Sequence, residues 1–387
     1  VKIAAVIPTA ERGPLAIQAA RSLLDQDCAV EIFVSDNSAS PDDALHEFCR
    51  TSAVHYLRPS RQMATSQHWD WAIRQVMDRS DAAHFTVHYD RKVTKPHHLG
   101  SVQSLVSRWP DRVITWPHDY VADTPPPMRL WQAPWTGNVY TLRTERVVRL
   151  TAAGRASAIT SQALPLLSNC LVPRAVLSEV ITRFGNVCNS TTPDSCFAYR
   201  FFAAHASYLH FDRALGVLHM PHRSANRGYL RGSGGDFDEF RKRWGERPWL
   251  DAAPIPGLTL GLNMLYHEYE LVRRATGAQL PPIDRAPYLE DLAVGLPLVS
   301  DPQTRHELRR RLVEEGWSGR ETRLRWFLRH RVLTALDEWF GLRLPGTTGR
   351  VFRDDREALR HALAHPRPRR RHARHLDLLE PELVETG

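Results

Sequence analysis

Residues 2–9 read KIAAVIPT, residues 14–26 read PLAIQAARSLLDQ and residues 31–38 read EIFVSDNS. The outer two runs are short, apolar and rich in β-branched residues, and the middle one sets Leu15, Ala19, Ser22 and Leu23 on one helical face. Strand, helix and strand in that order make a βαβ unit. The alternation continues with a helix over 41–50, a strand over 53–57 and a helix over 65–79, in which Trp69, Ala72, Ile73, Val76 and Met77 recur at helical spacing. A strand over 83–87, a helix over 96–109 and a strand over 112–116 follow. Strands separated by helices of this length predict an α/β fold, a Rossmann-like, mostly parallel sheet with helices on both faces.

In such sheets a ligand lies beyond the carboxyl ends of the strands, so the residues just after each strand carry the functional information. Here they are Thr9, Ala10 and Glu11, then Asp36 and Asn37, then residues 58–61, then His88, Tyr89 and Asp90. Residues 123–135, rich in proline and tryptophan, read as an ordered loop bordering a cleft. Helices are expected over 173–184 and 195–206, with short strands at 209–211 and 216–219. The glycines at 232, 234 and 235 mark a break, after which the pattern turns helical over 258–276, 302–315, 320–339 and 354–364. The expected organisation is a catalytic domain over 1–235, with a nucleotide half to about 110 and an acceptor half after it. A helical region over 236–364 and a basic, loosely held tail over 365–387 follow.

A chain of 387 residues has ample length for a large core. The five cysteines are odd in number and lack zinc-site spacing, so they read as reduced, buried thiols. No run of about 18 apolar residues is long enough to span a bilayer, and the first residues lack the pattern of a secretion signal, so a cytoplasmic location is expected. The formal charge of +8 is concentrated late in the chain, at Arg309 to Arg311 and Arg367 to Arg371. A solvated basic face and an anionic partner both fit it.

Val6-Ile7-Pro8-Thr9 at the end of the first strand, Val34-Ser35-Asp36-Asn37-Ser38 after the second, and the run from Arg58 to Ala72 entering a helix come in a fixed order before His88-Tyr89-Asp90. Together with Thr192-Pro193-Asp194 and His219-Met220-Pro221-His222-Arg223-Ser224, they resemble the family 2 glycosyltransferases of the GT-A type over about the first 235 residues. The resemblance implies a GT-A nucleotide-diphospho-sugar transferase fold, a UDP- or dTDP-sugar donor and inverting transfer to a hydroxyl or similar nucleophile of a soluble acceptor. It also implies a divalent cation, Mn²⁺ or Mg²⁺, at Asp90.

The family usually carries Asp-x-Asp where this chain has His88-Tyr89-Asp90. One carboxylate is thereby lost, and three readings stand. His88 contacts the donor while Asp90 holds the metal, His88 is itself a ligand, or metal dependence is weak. Imidazole beside carboxylate suits Mn²⁺ better than Mg²⁺. In the family a later histidine often completes this site, with His222 the first choice here and His219 the alternate. Arg227 and Arg231 are placed to clamp phosphate oxygens in a closing loop.

Asp36 is positioned to bind base or ribose, although Asp and Asn at such a place also cap turns. Pro8, Thr9, Glu11, Arg61, His88 and Tyr89 complete the expected donor site, and His68 stands nearby in the sequence. Asp194 holds the place of the family's catalytic acid pair, with Pro193 in place of the usual preceding Glu. It reads as the base for the acceptor hydroxyl or as an N-cap, roles that are compatible. Trp131, Trp135 and Asn138 are the acceptor candidates, together with Gly137 and residues 167–169. The helical C-terminal region offers a cover for the acceptor cleft or a homodimer surface.

Other chemistries fit less well. Cys196 lies two residues from Asp194, and helical neighbours at that spacing face apart. The GxSxG, GxxxxGK[ST], HExxH and GxGxxG patterns are absent. A nucleotidyltransferase of related fold would need a glycine-rich loop where Glu11-Arg12-Gly13-Pro14 stands. A non-catalytic RNA- or anion-binding protein on a degenerate transferase domain is the remaining alternative.

Overall fold

Both faces of the first strand are apolar, which forces it into the centre of a sheet covered on each side. In the computed structural model, β1 (Ile3–Thr9) is buried along its whole length. Ala4 and Val6 face one way, into a core with Phe33, Phe85, Trp69, Ile73 and Val76. Ala5 and Ile7 face the other, against Ile32, Val34, Ala16, Ala19, Ala20 and Leu23. The period-2 alternation of a strand thus serves two cores at once. The structure describes residues 1–122, 128–133, 135–159, 163–220, 250–277, 279–299, 301–319, 350–352, 355–365 and 374–385.

The elements of the first 110 residues fall where the sequence pattern places them. Helix α1 (Gly13–Leu24), strand β2 (Val30–Asp36), helix α2 (Asp43–Thr51), strand β3 (Val54–Leu57), helix α3 (Thr65–Arg79), strand β4 (His84–Val87) and helix α4 (His98–Arg108) succeed one another. Between β4 and α4 lies a short strand that the pattern did not reveal, β5 (Lys92–Thr94). The small residues of α1 let it sit close to the sheet. A Cβ at its Gly13 would meet the Asp42 carboxylate, which would have to shift to admit it. Asp42 in turn caps α2, accepting from the Leu45 N–H at 2.9 Å.

The second half adds β6 (Ile114–Thr115), β7 (Asp119–Ala122), β8 (Met128–Trp131), β9 (Val139–Arg143), α5 (Thr144–Ala152), β10 (Cys170–Pro173), α6 (Arg174–Phe184), α7 (Pro193–Phe202), β11 (Ser207–Phe211) and β12 (Gly216–Met220). Residues 128–131 of the expected loop are therefore a strand. With β13 (Arg350–Phe352) and β14 (Glu382–Glu385), the described strands form two sheets. The larger runs β14-β9-β11-β6-β10-β4-β1-β2-β3, and the smaller β13-β8-β7-β12-β5. In the larger, β1 to β4, β6, β11 and β14 point one way and only β9 and β10 run against them. The mixed α/β sheet covered by helices is the fold expected, and the carboxyl ends of its common-direction strands make one edge.

The end of the chain departs from expectation. The helices Gly261–Ala275, Arg285–Ala293 and Pro302–Glu314 are present, and residues 320–339 lie outside the described residues. Tyr269 and Val272 of the first of these helices, and Leu280 after it, join the same core as β1 and α3, whereas Leu289, Leu292, Leu308 and Leu312 of the other two pack in a second cluster with Leu258 and Tyr266. The segment expected to be a loose tail is docked over residues 374–385. Leu376 and Leu379 are buried in that core, and β14 pairs antiparallel with β9 as an edge strand of the larger sheet. A strand that finds a free edge gains backbone hydrogen bonds that composition alone cannot foretell. The five cysteines are free thiols, four of them buried. Among the described residues no helix is long and apolar enough to cross a membrane.

Candidate active site

The C-terminal edge of the larger sheet begins at the β1–β2 corner, where Thr9 pairs with Asp36. Asp36 is fully buried. One of its oxygens accepts from the Tyr56 hydroxyl at 2.7 Å and the Arg58 guanidinium at 3.0 Å, the other from the Ser38 N–H at 2.9 Å. Burial opposes its ionisation, but the hydrogen bonds from Ser38, Tyr56 and Asp42 outweigh it and hold the carboxyl below its usual range. Its Asx-type bond to Ser38 realises the turn role, and Tyr56 and Arg58 draw it inward. Asn37 clips the next loop to the corner through reciprocal bonds with the Met63 backbone, both 2.9 Å. Glu11, at φ 58°, accepts from the Ala39 N–H at 2.7 Å and so ties the first loop to the second. Pro8 is buried within β1, and Arg61 is exposed on the following loop. His68 is buried on α3 and bonded to Ser35 at 2.7 Å, and burial lowers its imidazole to about 4. It ties α3 to β2.

The turn after β4 turns one expectation inside out. His88 is buried, with Nδ1 on the Tyr89 carbonyl at 3.0 Å and Nε2 on the Thr94 hydroxyl at 2.9 Å. Both ring nitrogens are occupied, and burial depresses the pKa well below its usual value. These two bonds hold the β4–β5 turn, and the donor contact or metal ligation expected of His88 would have to break one of them. Asp90 also reaches back across the sheet. Its Oδ2 accepts from the Thr9 hydroxyl at 2.9 Å and lies 2.8 Å from Arg12 Nε, a charge contact without the alignment of a hydrogen bond. Thr9 and Asp90 therefore meet, and Arg12, which opens α1, joins them.

Tyr89 points the other way along the edge. Its hydroxyl donates to Asp194 Oδ2, its ring packs edge-on against Trp69, and the Arg91 guanidinium lies 5.1 Å from its centroid. Asp194 is half-buried in the first turn of α7, and its Oδ1 accepts from the Ser168 N–H at 3.2 Å. Burial pushes its carboxyl above the usual range, although the bonds from Tyr89 and Ser168 pull the other way. The helix starts at Pro193 with Thr192 in the cap position, so Asp194 faces the β4 turn and does not cap its own helix. Below it, buried Lys92 donates to the Ser168 carbonyl at 2.7 Å. Burial lowers that ammonium to about 8. One turn thus presents two acids, Asp90 directly and Asp194 through Tyr89.

The remaining candidates divide. His219, near the end of β12, donates its backbone N–H to the Arg91 carbonyl at 2.9 Å, which brings its backbone within a residue of Asp90. His222, Arg227 and Arg231 lie outside the described residues. Trp135 and Asn138 precede β9, whose first residue is at the same sheet edge. The Arg213 guanidinium lies 5.6 Å from the Trp135 ring centroid, and Asn138 Nδ2 donates to the Tyr140 hydroxyl at 3.0 Å. The Asp212 carbonyl and carboxylate hold the intervening Thr136 and Gly137 backbone. Trp131 contributes its backbone to β8 of the smaller sheet. Leu167 to Asn169 are buried and form a support beneath Asp194 rather than an open pocket wall.

Arg12, Tyr56 and Lys92 were not singled out as site residues from the sequence, whereas Arg58 and Ser168 fall within stretches that were. Arg12 had a usable signal, a cation within the loop that follows β1 and opens a helix. The partnership of Lys92 and Ser168 spans 76 residues and had none. Among the described residues no group of three or more His, Cys, Asp or Glu side chains is arranged to hold a metal.

No family profile matches the sequence and no curated protein matches it. Among solved structures, the chain is similar to S. aureus TarS. The 1–349 fragment in complex with UDP aligns with a TM-score of 0.44 and 12% identity over 81% of this chain and 89% of that one. The same fragment in complex with UDP-GlcNAc gives 0.44 and 11% over the same shares. A longer TarS chain gives 0.42 and 12%, and the alignment spans 54% of its length.

Proposed function

We propose that this chain is an inverting glycosyltransferase of the family 2 type, moving a sugar from a UDP- or dTDP-sugar to a hydroxyl or similar nucleophile of a soluble acceptor. The observation that carries the reading is the β4 turn. It sets Asp90, paired with Arg12, and Asp194, held through Tyr89, at the carboxyl edge of a doubly covered sheet, where α/β folds bind ligands.

In this reading Asp194 takes the proton from the acceptor hydroxyl. The acceptor oxygen forms the new bond to the anomeric carbon as the bond to the diphosphate oxygen breaks on the opposite side. Tyr89 and the Ser168 N–H fix the carboxylate in one orientation, and Lys92 anchors the turn that carries Ser168. Burial raises the proton affinity of Asp194, which strengthens it as a base. Arg12 supplies positive charge where the leaving diphosphate develops negative charge.

A divalent cation fits this edge only in part. Asp90 is one carboxylate, and Mg²⁺ is commonly bound by one or two carboxylates together with substrate phosphates. Asp90 would hold Mn²⁺ or Mg²⁺ with the donor diphosphate and a histidine, His222 or His219, once Arg12 moves off its Oδ2. When bound, the cation would neutralise charge on the leaving group.

A thermal-shift panel of UDP, dTDP and GDP sugars, with and without Mn²⁺, tests the reading. A ligand at a hundred times its Kd stabilises the native state by about 2.7 kcal/mol. At least one sugar nucleotide should raise the melting temperature. If none does at millimolar concentration, the proposal fails.

A further inference from the structure

Residues 186–192 lead into the helix that carries Asp194, and their backbone is tied down from two sides. On one side, α3 holds them: Asp70 accepts from the Val187 N–H at 2.6 Å, and the Ser66 hydroxyl donates to the Ser190 carbonyl. On the other side stands Glu268, in the helix Gly261–Ala275 of the C-terminal region, 1% exposed. A single oxygen of Glu268 accepts from the Thr191 hydroxyl at 3.0 Å, the Thr192 N–H at 3.1 Å and the Thr192 hydroxyl at 3.1 Å.

This arrangement completes the start of α7 from outside. Thr192 is the cap residue, yet its side chain makes no capping bond to its own helix. It is turned to Glu268 instead. A buried carboxylate here also lies near the positive end of the α7 dipole. Such a group is costly to bury without partners, and this one has the three donors of Thr191 and Thr192 and a further hydrogen bond with Cys196. Two residues further on, Asp194 must sit within hydrogen-bond reach of both Tyr89 and Ser168.

We infer that Glu268 is a positioning residue: it sets the position of the α7 start and hence of the Asp194 carboxylate, making the C-terminal helical region part of the transfer site. This rests on Asp194 acting as the base. The role assigned to the helix is to place the base, with no contact to the donor. An error of about 1 Å in such placement costs up to about a hundredfold in rate.

The test compares Glu268→Leu with Glu268→Gln. Because all three bonds fall on one oxygen, Gln keeps the acceptor and Leu removes it. The probe is the sugar nucleotide that the thermal-shift panel selects, with UDP-N-acetylglucosamine first. Its nucleotide release gives kcat and KM, and titration with the matching nucleoside diphosphate gives Kd. For Glu268→Leu, kcat is expected to fall by about tenfold or more with the Kd changed by less than about twofold. Glu268→Gln should recover most of the rate. A folded Glu268→Leu with wild-type kcat, an equal loss of nucleotide binding, or a Gln variant as slow as the Leu variant each overturns the inference. If Glu268→Leu does not fold, Thr191→Val with Thr192→Val removes the two hydroxyl donors from the other side and is read the same way. Asp194→Asn is measured alongside: if it keeps wild-type kcat, the base assignment fails; if it loses kcat while Glu268→Leu does not, only the positioning role fails.

Discussion

Asp194→Asn isolates the base from its surroundings. The amide keeps Oδ1 as the acceptor for the Ser168 N–H at 3.2 Å and turns an NH₂ toward the Tyr89 oxygen, which can accept it. Shape and hydrogen bonding survive, and one proton acceptor is removed. A positioned general base contributes about 10²–10⁴ in rate, so the expected loss in kcat is about 2.7–5.4 kcal/mol at about 1.36 kcal/mol per tenfold. Nucleotide Kd should stay within about twofold. The pH profile provides a second readout. Wild-type kcat should rise as Asp194 ionises, with an acid limb centred above the ordinary carboxyl value of 3.8, and the Asn variant should lose that limb. Stability carries the opposite sign. Because the folded carboxyl binds its proton more tightly than the unfolded one, stability falls as pH rises from the unfolded value through the folded one. The variant should lack that slope in urea unfolding. A folded Asp194→Asn with kcat within about threefold of wild type, under about 0.7 kcal/mol, refutes the assignment.

Asp90→Asn should abolish the extra thermal shift that Mn²⁺ adds to nucleotide binding, and turnover that persists unchanged in chelator would remove the metal from the scheme. Gly154→Ala should destabilise the chain well beyond the about 1–2 kcal/mol cost of a left-handed alanine. A Cβ there meets the Tyr288 backbone nitrogen at 2.3 Å, whereas Gly185→Ala, at φ 78° and with nothing within 4 Å, should cost only the backbone term. Urea midpoints that do not separate these two variants would contradict the close approach of Gly154 to the helix Arg285–Ala293. Leu379→Ala should cost about 2–4 kcal/mol, because its fully buried side chain belongs to the main core. An unchanged melting temperature would mean that the chain end is not docked.

The βαβ order, the helix over 65–79 and the location of polar residues after β1, β2 and β4 were legible because each rests on local periodicity. Apolar alternation in Ile3 to Ile7 demands burial on two faces wherever the chain goes, and a buried parallel strand brings its loop residues to one edge. The directions of the side chains at that edge are a different matter. His88 and Asp90 stand two apart in one turn, yet His88 is sealed beneath it by Tyr89 and Thr94 while Asp90 reaches Thr9 and Arg12. That division depends on which atoms can desolvate with partners, and the partners come from other elements. Likewise, 194 and 168 meet only because the turn before β10 lies under α7, and Glu268 meets Thr191 across 77 residues. The strand at 382–385 is short and largely exposed, and only the free edge of β9 makes it a strand. Sequence determined which residues could do chemistry and along which edge they would gather. Tertiary structure decided which of them are turned outward and which are held by distant carboxylates and hydroxyls, because a buried polar group settles wherever its hydrogen bonds can be completed.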